Sequence, residues 1–162
     1  MAENYRAFFE EIKNAPYPLT AKFFDLGEMK PEWVQALFEN GIPLHSTKIL
    51  QRAEDLIHAT RSAKKEKKID DAWWCHLPQY LKNPDAVFLD LTQKAPALLL
   101  IFYEKNGSAK KLTIQLNKTL KKKGDCFFNI LRTGGIVNPQ GLHGKNYVLL
   151  AGRAQSTKKD LK

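Results

Sequence analysis

His58, Arg132 and Thr133 are residue types that can carry out a reaction without a metal ion or cofactor. Cleaving RNA through its own ribose needs a base for the 2′-hydroxyl and an acid for the departing 5′-oxygen. It also needs cations or hydroxyls around a pentacoordinate phosphorus. These three side chains could supply those parts and are the catalytic candidates. Lys48, Lys118, Lys121, Lys122 and Asn129 are the candidate substrate contacts. His58 stands far from Arg132 in the chain, so only the fold can bring the two together.

Other chemistries find less support. Gly134-Gly135 follows a strand-like segment, but neither the spacing nor a downstream Lys-Ser/Thr makes a phosphate-binding loop. Cys75 and His76 are adjacent and cannot readily converge on one metal ion, and Cys126 with His143 leaves too few ligands for zinc. No metal site and no cofactor are therefore expected. With only two cysteines, each in apolar company, both are read as buried, reduced thiols. A cysteine nucleophile lacks a partnered motif.

The charge balance points to a polyanion. Twenty-six Lys and Arg against 17 Asp and Glu give +9 over 162 residues, more than solubility requires of a small domain. The lysines gather at 64–68, 110–111 and 118–123, flanking loops and edges of the strand-rich half. Such lysines can hold phosphates, while Tyr103, Phe127 or Trp73 could stack an unpaired base. RNA, including tRNA, is the expected partner, with other nucleic acid the alternative. The same surface also suits a non-catalytic nucleic-acid binder or an adaptor for an acidic protein. The N-terminus carries acids and lacks an uninterrupted apolar core, and the longest apolar run, Pro96 to Tyr103, is far shorter than a membrane span. A cytosolic protein with no membrane partner is expected, and delivery into another cell without a cleaved signal would leave no mark here.

The elements that must position these residues follow from periodicity. Composition of 43% hydrophobic and 27% charged residues is that of a folding domain, and the length suits one, spanning 1–153. The basic tail 154–162 lacks apolar anchors and is expected to be disordered. Tyr5, Phe8, Phe9 and Ile12 mark a helix stopped by Asn14 and Pro16/Pro18. Ala21 to Leu26 reads as a short strand ended by Gly27. A second helix starts at Pro31 and stops at Asn40-Gly41. A third is predicted from a cap at Ser46 or Thr47 to about Ser62, with Ile49, Leu50, Ala53, Leu56 and Ile57 on its apolar face. His58, Lys48 and Asp55 then share the polar sector, where His58 is either an ordinary surface residue or part of a site.

Asp70 to Tyr80 reads as an irregular connection, and Asn83-Pro84-Asp85 as a turn. Ala86–Leu91, Leu98–Tyr103, Lys111–Asn117 and Cys126–Arg132 follow as strands, with Tyr147–Ala151 as a fifth. Asn106-Gly107 signals a hairpin. Thr133-Gly134-Gly135 reads as a strand-ending turn or as part of the phosphate site. The fold class is α+β: N-terminal helices packed on one face of a mostly antiparallel four- to five-stranded sheet, the other face polar and partly open.

The order of these parts resembles the phage-associated nuclease families grouped with barnase, EndoU, colicin-type and RelE-like ribonucleases. The residues that carry the likeness are Phe24-Asp25-Leu26-Gly27-Glu28 leading into Pro31-Glu32-Trp33-Val34, and the helix end Leu56-Ile57-His58-Ala59-Thr60. Leu77-Pro78 with Asn83-Pro84-Asp85-Ala86-Val87, then the hairpin and the strand Phe127 to Thr133, complete it. The resemblance covers roughly residues 21–135. It implies a barnase/RelE-like architecture and metal-independent RNA cleavage through a 2′,3′-cyclic phosphate. His58 would be acid or base, with Arg132 and Thr133 at the phosphate. It also leaves room for an acidic immunity or inhibitor protein. Two positions depart from the family pattern: Arg61 is the only basic residue beyond His58 at the helix end, and Asn129 stands where a hydroxyl residue would be expected.

Overall fold

The computed structural model describes residues 2–15, 22–61, 67–119 and 126–154. Helix α1 (Ala2–Asn14) forms where the apolar spacing predicts it, and Tyr5, Phe8, Phe9 and Ile12 are all buried. The proline pair expected to stop it lies outside the described residues. Strand β1 (Phe23–Glu28) does not end at Gly27. That glycine sits inside the strand at φ 95°, where the register to its neighbour slips by one residue, so it makes a bulge rather than a stop. Helix α2 (Pro31–Glu39) begins at the predicted proline and ends at Asn40, with Gly41 beyond it in the left-handed region at φ 82°.

The largest difference from the sequence reading lies between Ser46 and Ser62. The predicted single helix is a strand, β2 (Lys48–Arg52), followed directly by a two-turn helix, α3 (Ala53–Thr60). The pair Ile49-Leu50 suits a helix stripe or a strand buried on both faces equally well, and long-range pairing decides between them. β2 lies between β1, antiparallel, and β6 (Phe127–Val137), parallel, and both Ile49 and Leu50 are buried there. The expected irregular stretch at 70–80 contains two short helices, α4 (Asp71–Trp74) and α5 (Leu77–Tyr80). Asp70 caps the first, its carboxylate accepting from the Trp73 amide at 2.9 Å.

The sheet has seven strands rather than four or five. β3 (Ala86–Asp90), β4 (Ala97–Tyr103), β5 (Ala109–Thr119) and β7 (Tyr147–Gly152) complete the order β1-β2-β6-β5-β4-β3-β7. Every pair except β2–β6 is antiparallel. As its apolar run predicts, β4 is central, flanked by β3 and β5. The β4–β5 hairpin closes through residues 104–108: Gly107 takes φ 90°, and the Asn106 side chain accepts from the Ser108 amide at 3.0 Å. The loop is longer than two residues, as the flanking Lys105 and Ser108 suggest.

One sheet face carries Leu98, Leu100, Leu112, Ile114, Leu116 and Leu131 into the main core against the helices, with Trp33, Trp74, Leu37 and Leu56 opposite. Each fully buried Leu or Ile there contributes about 1.5–3 kcal/mol. Gly134 belongs to this packing. β6 runs on to Val137, so Thr133-Gly134-Gly135 is strand interior and not a turn. A Cβ on Gly134 would come within 2.6 Å of the Trp74 ring and 2.9 Å of Leu112.

The second face is not uniformly polar. Phe88, Leu99, Ile101 and Ala109 form a smaller core beneath Leu142, which a 3-10 turn (Pro139–His143) folds over them. The β5–β6 half of that face is the polar one.

At the end of β7, Gly152 holds φ 73°, and a Cβ there would meet the Asp85 carbonyl at 2.1 Å. Gly152→Ala is expected to lower stability by about 2–4 kcal/mol, combining a left-handed backbone with a clash. Gly141→Ala, with nothing within 4 Å, should stay within about 0.5 kcal/mol. Urea unfolding midpoints of the two variants check this.

Candidate nucleic-acid site on the polar half of the sheet

The position of the site follows from register. Thr113 pairs with Thr133, Gln115 with Ile130, Leu50 with Ile130, and Lys111 with Gly135. Paired residues share a face, and residues two apart on a strand share it too. Lys111, Thr113, Gln115 and Thr133 therefore line one strip of the second face, next to the apolar patch under Leu142. Between Leu131 and Thr133 the register slips by one residue, and Arg132 is the extra residue. A bulge of this kind re-aims a side chain out of the regular ladder.

Arg132 is re-aimed onto α3. Its Nε donates to Asp55 Oδ1 at 3.0 Å, and its Nη1 donates to Gln115 Oε1 at 3.0 Å. Asp55 also accepts from Arg52, whose Nε lies 2.7 Å from Oδ2 and whose Nη2 lies 3.3 Å from Oδ1. Arg52 Nη1 lies 3.3 Å from Glu54. The Asp55 side chain is only 9% exposed, against 37% for Arg132 and 28% for Arg52. The hydrogen bonds Arg52 donates to Asp55, aided by that carboxylate's charge, outweigh burial and hold Arg52 above the ordinary guanidinium range. Of the five donors on Arg132, Nε and one on Nη1 are used by these bonds. Its guanidinium is fixed on one side and remains partly open to solvent on the other.

His58 stands one helical turn beyond Asp55 and is exposed. Residues three apart on a helix lie on one face with Cβ atoms about 5–6 Å apart. Because α3 packs against β6, the carboxylate that holds Arg132 shares a helix face with His58. Thr133 follows Arg132 and is exposed on the polar strip. Arg132 is thus tied to the helix that carries His58, and Thr133 follows it on β6.

The substrate-contact candidates fare unevenly. Asn129 is wholly buried. Its amide donates to the Ser46 and Lys48 carbonyls at 2.8 and 3.2 Å, and its oxygen accepts from the Asn117 amide at 3.2 Å. It clamps β6 to the entry of β2 and to β5, and cannot reach a substrate. Lys48 lies on the strand and not on the helix of His58, so the shared polar sector predicted for them does not exist. Its ammonium sits 3.0 Å from Asp25 and 3.2 Å from Glu28 on β1, and those bonds raise its pKa. Glu28 is lowered by the Thr47 hydroxyl first and Lys48 second. Asp25 is raised by burial, but the Gly27 amide and Lys48 outweigh this and lower it overall. Lys48 also lines a cleft of about 490 Å³ with Asn4, Phe24, Asp25 and Gly27, on the β1 side of the sheet. Lys118 lies on β5, partly exposed, opposite Phe128. Lys121 and Lys122 lie outside the described residues.

Sequence reasoning did not single out Arg52 and Gln115, and gave Asp55 no partner. The i,i+3 spacing of Arg52 and Asp55 was the legible signal, since that spacing favours an ion pair at a helix start. Gln115 carried no comparable mark. Of the cysteines, Cys75 is partly buried and donates to the Ala72 carbonyl, while Cys126 is exposed, contrary to expectation. Among the described residues no three His, Cys, Asp or Glu side chains group as metal ligands, and no helix is long and apolar enough to cross a membrane. Comparison of the chain with protein-family models gives no match, and comparison with curated proteins and with solved structures gives none either.

Proposed function

We propose that this protein is a metal-independent endoribonuclease of the phage or toxin type that works on the α3–β6 seam. The observation that carries the reading is the Arg132–Asp55 hydrogen bond, which ties a partly open guanidinium to a helix whose exposed His58 stands one turn beyond Asp55. In the reaction, the ribose 2′-oxygen attacks phosphorus and the P–O5′ bond breaks, leaving a 2′,3′-cyclic phosphate and a 5′-hydroxyl. The proton lost by the 2′-hydroxyl balances the one gained at O5′, and His58 handles one of the two transfers. Arg132 stabilises the charge that builds on the pentacoordinate phosphorus, and Thr133 adds a hydroxyl donor beside it. The α+β class, with a polar strip on the second sheet face, is the class that the sequence resemblance implies. The net charge of +9 supplies the attraction for RNA.

The test is to incubate the purified chain with single-stranded RNA and with tRNA in EDTA. Cleavage leaving 2′,3′-cyclic phosphate ends is the expected result. Binding without cleavage would replace the enzyme by a nucleic-acid-binding protein. Neither binding nor cleavage at physiological salt would leave an acidic protein as the partner.

A further inference from the structure

Three aromatic residues could stack a base on sequence grounds, and the fold treats them differently. The Trp73 ring already stacks on Tyr80, at 5.0 Å and 8° between planes, with Lys110 over it at 5.7 Å. The Tyr103 hydroxyl donates to the Arg153 carbonyl at 2.9 Å. Phe127 is 37% exposed at the start of β6 and meets the ring of His45, itself exposed, at 4.5 Å and 32°.

The loop that carries His45 is anchored to β5 and β6. The His45 amide donates to Asn117 Oδ1 at 2.9 Å, and the Asn117 side-chain amide donates to the Pro43 carbonyl at 3.1 Å. Asn117 takes φ 55°, the only positive φ among the described non-glycine residues, at the second β5–β6 register slip. The buried Asn129 ties Ser46 and Lys48 from the other side. A strained residue and two asparagine clamps thus fix the loop that presents His45. Such strain persists only where the surroundings over-determine it, and it clusters at ligand-binding positions. Thr119 pairs with Phe127 and shares its face, whereas Lys118 pairs with Phe128 on the opposite one.

We propose that His45 and Phe127 form a stacking platform for one unpaired nucleobase. An exposed aromatic pair on an anchored loop offers the π-faces on which single-stranded nucleic acid stacks with little sequence preference. Phe127 lies five residues before Arg132 on β6, roughly 17 Å along the strand. The platform is therefore a subsite separate from the α3–β6 seam, and would hold the RNA strand away from the phosphate being cut. The inference deepens the ribonuclease reading by naming a single-stranded substrate.

The experiment measures binding of a fluorescent 2′-O-methyl RNA decamer, which cannot be cleaved, so binding is read independently of catalysis. Phe127→Ala is expected to weaken binding at least about fivefold while leaving the salt slope unchanged. A decamer with abasic positions should bind the wild type as weakly as the intact decamer binds Phe127→Ala, and should bind Phe127→Ala no more weakly still. His45→Ala, which keeps the backbone donor to Asn117, guards against a folding defect in Phe127→Ala and should also weaken binding. An affinity within twofold of wild type in both aromatic variants would overturn the platform, as would equal losses for intact and abasic decamers. A platform confirmed on a chain that cuts no RNA would sink only the ribonuclease reading.

Discussion

His58→Ala is expected to slow RNA cleavage at least about a hundredfold, some 2.7 kcal/mol of lost transition-state stabilisation, while the protein stays folded. The side chain is exposed on α3 and has no hydrogen bond among the described residues, so its removal should change stability by no more than about 0.5 kcal/mol. RNA affinity should hold, because a residue that moves a proton contributes to the barrier more than to the ground state. Single-turnover cleavage and binding to a non-cleavable RNA, measured on the same preparation, separate the two effects. A variant that cleaves within threefold of wild type would remove His58 from the mechanism. A variant that has lost binding and cleavage equally would make it a phosphate contact.

The largest stability effect in the site belongs to Asp55→Ala. One mostly buried carboxylate accepts from two guanidiniums, and removing it leaves two partly desolvated like charges facing each other. Breaking a fully buried ion pair costs about 3–5 kcal/mol. Arg52 and Arg132 keep 28% and 37% of their side-chain surface in water, so about 2–3 kcal/mol is the expected loss. The same substitution frees Arg132 from α3, and cleavage should fall even where the variant is fully folded. Arg132→Met in the Asp55→Ala background should then restore part of the stability and none of the activity. That split distinguishes a positioning carboxylate from one that only holds the fold. Thermal unfolding of the single and double variants, read against cleavage below the transition, gives the answer. If Asp55→Ala lowers the unfolding temperature but leaves the cleavage rate per folded molecule unchanged, the contact with Arg132 has no role in the reaction.

How far sequence reading reaches here depends on how local the deciding interaction is. The apolar spacing of Tyr5, Phe8, Phe9 and Ile12, the proline at the start of α2, the Asn40-Gly41 stop and the Asn106-Gly107 hairpin are set by neighbours within a few residues. All are found where they were read. β2 was missed because Ile49-Leu50 suits a helix stripe as well as a strand, and what decides is pairing with β1 and β6 from both ends of the chain. Once β2 is a strand, Lys48 leaves the helix face and turns to Asp25 and Glu28.

Residue type determined that His58, Arg132 and Thr133 are chemically able to act on a phosphate, and the count of charges determined a net charge of +9. Only the tertiary structure decided their company. It buried Asn129 between two strands, made Arg132 a bulge, and set Asp55 to tie it to the helix that carries His58. It also covered half of the second sheet face with Leu142 and left Phe127 exposed against His45. Propensity and charge belong to single residues and short windows, and a chain shows them as it stands. Register, bulges and shared carboxylates arise between segments distant in sequence, and exist only once the sheet has closed on them.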